Sequence, residues 1–220
     1  MEYLGGTTER SRLRRKPERA SYDRDTVYGI IDEALYCHVG FVIDDQPVVL
    51  PTVHVRVDEA IYFHGSRSNR MFRSIAGREA CVSVTLVDGL VLARSSVHHS
   101  LNYRSAVAFG RPEFIDEVDA KQSALGALVE HILPGRSQEA RPPSEAELAS
   151  TGVLRMEIEE ASAKIRSGDP VDSEDDMQLD IWAGVVPLET TWGLPVYSGQ
   201  PDSSRYDPAM LPASLRSLLG

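Results

Sequence analysis

Between residues 36 and 114 the chain carries short apolar runs, 37–43, 48–57, 60–64, 80–87, 90–97 and 105–114, rich in Val, Ile, Phe and Tyr and punctuated by Asp, Gly and Pro. Runs this short are strand length, and most gaps between them hold a hairpin but not the crossover helix that joins parallel strands. The turn chemistry sits in Asp44-Asp45-Gln46-Pro47, Asp58-Glu59 and Asp88-Gly89. Asp88-Gly89, flanked by apolar runs, is the strongest two-residue hairpin signal of the three. The chain therefore reads as mainly β with flanking helices, a six-stranded antiparallel barrel or sandwich and not a βαβ array.

One helix interrupts the strands. In AIYFHGSRSNRMFRSIAG, residues 60–77, a strand stops at His64-Gly65-Ser66 and a short helix carries Met71, Phe72 and Ile75. Ser66 or Ser68 can cap it and Gly77 can stop it. Free N–H groups in its first turn, with Arg67, Arg70 and Arg73 nearby, would seat a phosphate. The same residues also spell an ordinary strand-to-helix turn with solvated arginines. If Asp88-Gly89 is a hairpin, Ser83 lies opposite Arg94 and Thr85 opposite Leu92, while Val82, Val84 and Leu86 point away. Ser83, Thr85 and Arg94 would then form a polar wall against a heteroaromatic ligand, or simply a solvated outer face.

Elsewhere, Asp23 caps a helix to residue 35 with Val27, Ile30, Ile31 and Ala34 on one face. Asp116 or Asp119 caps another whose stripe of Leu125, Leu128, Val129 and Ile132 is expected in the core, ending at Pro134-Gly135. Residues 136–150 read as loop with a short helix, 153–165 as one half-buried strand, and 167–180 as an acidic surface excursion before an apolar return at 181–188. This divides the chain into an arm (1–22), one domain (23–190) and a tail (191–220) that wraps or frays.

A net charge of −10 argues against a nucleic-acid surface or an anionic membrane as partner. No apolar stretch has membrane-spanning length and the start lacks a signal-peptide core. Cys37 and Cys81 lie in apolar runs with no zinc spacing, so reduced buried thiols and a cytoplasmic location are expected. No Ser-His-Asp pattern, P-loop or GxGxxG occurs. His98 and His99, adjacent on an extended segment, would point oppositely, so no metal is assigned. His38, His54 and His131 read as structural or surface residues.

With the HGS junction, the run His98-His99-Ser100-Leu101-Asn102-Tyr103-Arg104-Ser105 and the later ASAKIRSGDP and DIWAGVVPL in view, the chain resembles the pyridoxamine 5′-phosphate oxidase-like split-barrel proteins over about residues 12–190. Its resemblance is to the flavin-nucleotide-binding branch that includes the nitroimidazole-resistance proteins. The resemblance implies a six-stranded split β-barrel, a homodimer with FMN at its interface, and flavin-mediated hydride or electron transfer on a small organic molecule. F420 and haem are the alternative cofactors that it implies, and a haem-binding or non-enzymatic protein is the alternative function. Residue by residue, it implies that the strand with Pro51 and Thr52 runs beside the flavin ring, and that His64, Gly65, Ser66, Ser68, Asn69 and Arg70 hold the phosphate, with His64 also the catalytic candidate. Ser83 and Thr85 would lie near the ribityl chain or ring, and Asn102, Arg104 and Trp182 would reach the partner's flavin. The classical oxidase's Tyr-Thr-Asn-Tyr and Ser-Arg-Lys phosphate segment is replaced here by residues 63–70, and its C-terminal Trp and Arg-x-His elements have no counterpart in 193–220.

Overall fold

The sheet is built outward from one long strand. A computed structural model describes residues 8–196, 198 and 211–219. Residues 1–7 of the expected arm, and 197, 199–210 and 220 of the expected tail, lie outside the described residues. Ten strands occur among the described residues: β1 (Ala20–Ser21), β2 (Tyr36–Ile43), β3 (Gln46–Val57), β4 (Ala60–Ser66), β5 (Ala80–Leu92), β6 (Ser100–Gly110), β7 (Pro112–Phe114), β8 (Thr151–Glu157), β9 (Glu160–Arg166) and β10 (Gly184–Pro187). Their order is β1-β9-β6-β5-β2-β3-β4-β8-β7, with β10 added beside β5, and the pairings are antiparallel.

The fold is the expected mainly β split barrel with flanking helices, with more strands than the six read from sequence. Three of the additional strands, β1, β7 and β10, are edge pieces too short to show a period. The expected strands 80–87 and 90–97 are one, β5, and 153–165, read as a single further strand, is two, β8 and β9. The chain breaks at Ile158-Glu159, so that β8 pairs with β4 and β7 while β9 pairs with β6 and β1. The barrel splits there, held by backbone bonds from Ile158 to the Glu59 carbonyl and from Glu159 to the Phe109 carbonyl, 2.9 and 3.0 Å. Gly110 makes this corner possible, since a Cβ on it would lie 2.1 Å from the Glu157 carbonyl oxygen.

The Asp88-Gly89 hairpin is not formed. β5 runs through both residues, with a bulge between Val87 and Gly89, and its first half pairs with β2 while its last residues pair with β10. Gly89 is needed for a different reason from a turn: a Cβ there would meet the Val186 carbonyl at 2.9 Å. The left-handed turn geometry appears instead at Asp44 and Asp45, with φ of 49° and 60°, where Ile43 faces Gln46 across a two-residue hairpin. Continuous cross-strand partners on β6 outweighed the local preference of Asp-Gly. The proposed facing of Ser83 with Arg94 and Thr85 with Leu92 falls with it. Ser83 faces His38 and Val107, and Thr85 faces Ser105.

Among the described residues six α-helices flank the sheet: α1 (Arg24–Glu33), α2 (Arg70–Ile75), α3 (Val118–Ile132), α4 (Arg136–Glu139), α5 (Glu145–Ser150) and α6 (Ala213–Leu219). α1 starts where expected, with Asp23 accepting from the Thr26 N–H, and buries Val27, Ile30 and Ile31. Its face joins Cys37, Val39, Phe63, Phe72, Val82, Val84, Ala106 and Ala108 in the core. α3 is capped by Glu117, not by Asp116 or Asp119, because its carboxylate reaches the N–H groups of both Asp119 and Ala120. The buried face of α3 is also rotated from the expected stripe. Lys121, Ala124 and Leu128 are buried, whereas Ile132 is exposed. Lys121 explains this, donating to the carbonyls of Leu148 and Thr151 at 3.0 Å each, which pins that face against α5 and β8. α5 carries a capping box of Ser144 and Glu147. In the tail, α6 docks by Ser214 on the Glu139 carboxylate. The arm is tied down as well: Arg10 pairs with Glu79, Glu159 and Glu160.

Candidate functional site

Alternation along β2 and β4 builds the site. On β4, Ile61 and Phe63 enter the core, so Tyr62, His64 and Ser66 face the other way. On β2, Cys37, Val39 and Phe41 are buried and Tyr36 and His38 are exposed, their rings meeting edge-on with centroids 5.7 Å apart. Register then sets three strands in line: His38 faces Pro51 on β3 and Ser83 on β5. Pro51, His38 and Ser83 thus form one row on the outer face, with Thr85 exposed two residues along from Ser83. Thr52 belongs to the opposite face, beside the fully buried Cys37, and its hydroxyl donates weakly to the Val53 carbonyl at 3.4 Å. Burial pushes the Cys37 thiol up to about 12, which keeps it protonated.

The β4–α2 junction gathers the second group. Asn69 caps α2, accepting from the Met71 N–H at 2.8 Å, so neither Ser66 nor Ser68 is the cap. Those two serines bond one another, Oγ to Oγ at 2.9 Å, and lie exposed. Gly65 fits tightly over the α2 side chains: a Cβ would sit 3.3 Å from the Phe72 ring and 3.5 Å from Asn69 Nδ2. Arg67 turns away to pair with Asp116 at 2.8 Å. Arg70 and Arg73 make no ion pair among the described residues. Because α2 is only six residues long and one of its leading N–H groups is taken by Asn69, attraction for an anion here rests on Ser66, Ser68 and Arg70 more than on the helix. His64 stands on the same outward face as Ser66, and partial desolvation lowers its pKa, favouring the neutral imidazole.

Other expected site residues are committed elsewhere. Asn102 is buried and accepts from the Arg166 guanidinium. Arg104 bridges Glu33 and Asp88, its Nη2 2.8 Å from Asp88, and the paired carboxylates, Glu33 foremost, raise its pKa. Trp182 is 66% exposed and touches its own chain at Gly184, well separated in the fold order from β4. His98 closes a turn and His99 follows it just before β6, so the two do not share an extended segment. The His98 ring shares a cluster with Asp172 and Asp176, whose ligand atoms lie within 4.8 Å of one another, but Asp172 is held by Arg94 and Asp176 by Ser173. Arg94, expected on the polar wall, is thereby directed to Asp172 at 2.9 Å.

Sequence reasoning passed over His38 and Tyr36. The signal was present in residues 36–39, where an aromatic and a histidine alternate with Cys37 and Val39. His54 and His131 are structural, each giving Nε2 to a carbonyl at the end of α1, Ile31 at 3.0 Å and Ala34 at 2.9 Å. No helix among the described residues is long and apolar enough to cross a membrane.

The pyridoxamine 5′-phosphate oxidase family profile matches residues 23–165. The structure of the flavocytochrome Anf3 from Azotobacter vinelandii is similar with a TM-score of 0.86 and 33% identity, over 97% of this chain and 98% of that one. The structure of the FAD and haem binding protein from Mycobacterium smegmatis is similar with a TM-score of 0.84 and 37% identity, over 92% of this chain and 98% of that one. A structure from Bacteroides thetaiotaomicron, assigned as a 5-nitroimidazole antibiotic resistance protein, shares the fold with a TM-score of 0.56 and 21% identity, over 66% of this chain and 86% of that one. No curated protein matches the chain in sequence.

Proposed function

The chain belongs to the pyridoxamine 5′-phosphate oxidase family, and on that premise we propose that it binds a flavin nucleotide and works as an oxidoreductase on a small organic molecule. The observation that carries the reading is end-to-end similarity, above 90% of both chains, to a flavocytochrome and to an FAD and haem binding protein. The local chemistry fits. Ser66, Ser68 and Arg70 are exposed donors without outside partners among the described residues, set where Gly65 brings backbone close to α2, and they would hold the phosphate of FMN or of the larger FAD. His64, Gly65 and Asn69 shape that seat, and Asn69 does so by keeping the first turn of α2 in place.

When bound, the flavin supplies hydride or electron transfer, and the protein supplies placement. Pro51 would give the ring a rigid edge, with the backbone of Thr52 beside it. Ser83 and Thr85 would donate to its polar atoms, and His38, between Pro51 and Ser83, joins them. Exposed Tyr36, Val49, Leu90, Leu101 and Val186 on the same sheet suit a homodimer, across which Trp182 is free to reach. Asn102 and Arg104 would act through the strands they brace. The free thiols of Cys37 and Cys81 fit a cytoplasmic setting.

Haem as a second group is favoured by a specific count. His54, His99 and His131 each engage a carbonyl with one ring nitrogen, whereas His38, His64 and His98 have no side-chain hydrogen bond among the described residues; His98 lies beside Asp172 and Asp176, which leaves His38 and His64 as the pair on one face. Those two imidazoles are the ones available to a haem iron. The absorption spectrum of the purified protein, with mass identification of the molecule released by heat, separates FMN, FAD, F420 and haem. A colourless protein that quenches neither FMN nor FAD fluorescence and develops no Soret band with haem would overturn the reading.

A further inference from the structure

A cleft of about 420 Å³ lies between α3 and the outward face of β3, β4 and β8. Its walls are apolar, formed by Val57, Ile115 and the methyl groups of Ala120, Ala124 and Ala127, which keep α3 narrow there. Three polar side chains line it; Ser123 gives its hydroxyl to the Asp119 carbonyl at 2.8 Å, which leaves Tyr62 and Arg155. Tyr62 and Arg155 face each other in the β4–β8 register, and Arg155 Nε donates to the Tyr62 hydroxyl at 3.1 Å. That hydroxyl keeps its own proton to donate. Arg155 Nη2 serves Glu157, and Nη1 has no partner among the described residues. The Arg155–Glu157 pair is exposed on both sides, 40% and 54%, so it is screened and easily exchanged for a better sheltered anion.

We propose that this cleft binds a small aromatic carboxylate, its ring lying against the alanine methyls and Val57 while its carboxylate takes Arg155 Nη1 and the Tyr62 hydroxyl. Glu157 then returns to water. An apolar slot that also carries an adjoining guanidinium and phenol is the composition of a site for a flat monoanion. Glu113, which faces Arg155 from β7, and Glu157 set the limit: a ligand with two or more negative charges is repelled.

Calorimetric titration of the full chain, as purified, with 2-naphthoate tests the proposal. Binding is expected, with 2-naphthamide at least tenfold weaker. Arg155→Gln should weaken 2-naphthoate about tenfold or more. Glu157→Gln should tighten it two- to threefold by removing the competing carboxylate, and Ala124→Leu should abolish it by filling the slot, with thermal melting verifying that each variant is folded. Absence of binding, equal affinity for acid and amide, an Arg155→Gln variant that binds like the parent, or displacement of 2-naphthoate by FMN would each overturn it.

Discussion

Around the end of α1 polar side chains are bound to one another. His54 and His131 hold the Ile31 and Ala34 carbonyls, Arg104 joins Glu33 to Asp88, and at the other end of α3 Lys121 holds two more carbonyls. At the end of β4 the same kinds of residue hold little: among the described residues Ser66 and Ser68 bond only each other, and Arg70, His64 and His38 have no side-chain partner outside their own segment. Burial is the difference. A polar group taken out of water must be paired or it costs folding energy, whereas one at a rim can wait in water for a ligand. The uncommitted set is therefore where binding is expected, and the committed set is where stability is expected to reside.

The sharpest division is between neighbours on β4. Phe63 is fully buried, and Phe63→Ala should cost about 3–5 kcal/mol in chemical denaturation. His64→Ala should stay within about 0.5 kcal/mol while changing flavin or haem binding. Similar losses of stability for the two would break the comparison.

His54 gives the committed region a pH signature. Burial lowers its pKa from 6.5 to about 4, so between those values the unfolded chain binds a proton that the folded one refuses. Its contribution is fully present above pH 6.5 and is lost as pH falls toward 4, at up to about 1.4 kcal/mol per pH unit. His64, also lowered, adds in the same direction. Carboxylates such as Glu33, lowered by Arg104, lose their contribution only from near their ordinary value of 4.5 downward. His54→Gln, measured by denaturation from pH 7 to 5, should flatten the slope; an unchanged slope would place its origin elsewhere.

Lys121→Met keeps the apolar stem but leaves the Leu148 and Thr151 carbonyls without their donor, at an expected cost of about 1–3 kcal/mol in thermal or chemical unfolding. The smallest effects are on stability at the rim. Arg70→Ala should leave the melting temperature in place and weaken flavin binding about tenfold or more, whereas Arg67→Ala, whose guanidinium already serves Asp116, should change flavin affinity by less than about threefold. Fluorescence titration that ranks the two the other way would move the phosphate seat off Arg70.

Much of this division could be read in the chain itself. The strands 37–43, 48–57 and 60–64 announce themselves as short apolar runs between turn residues, and the phosphate-seat candidates are contiguous from His64 to Arg70, so local chemistry alone brings them into view. Helix caps were legible to within a residue or two, as at Asp23, while Glu117 displaced Asp116 and Asp119 because only its position lets a carboxylate reach two N–H groups. The Asp88-Gly89 turn was misleading for a reason of the opposite kind: long-range pairing of β5 with β6 on both sides of the bulge overrode a strong local preference.

The amino-acid sequence by itself determined the antiparallel β class, the first helix and the loop of small and basic residues at the end of β4, since each depends on neighbours within a few residues. Tertiary structure alone decided the row of Pro51, His38 and Ser83, the burial of Lys121 and the engagement of Asn102 and Arg104. The strand residues depend on which residue of one strand meets which residue of another, and a one-residue shift in register would have turned them to the opposite face, while Lys121 depends on how α3 is rotated against α5 and β8.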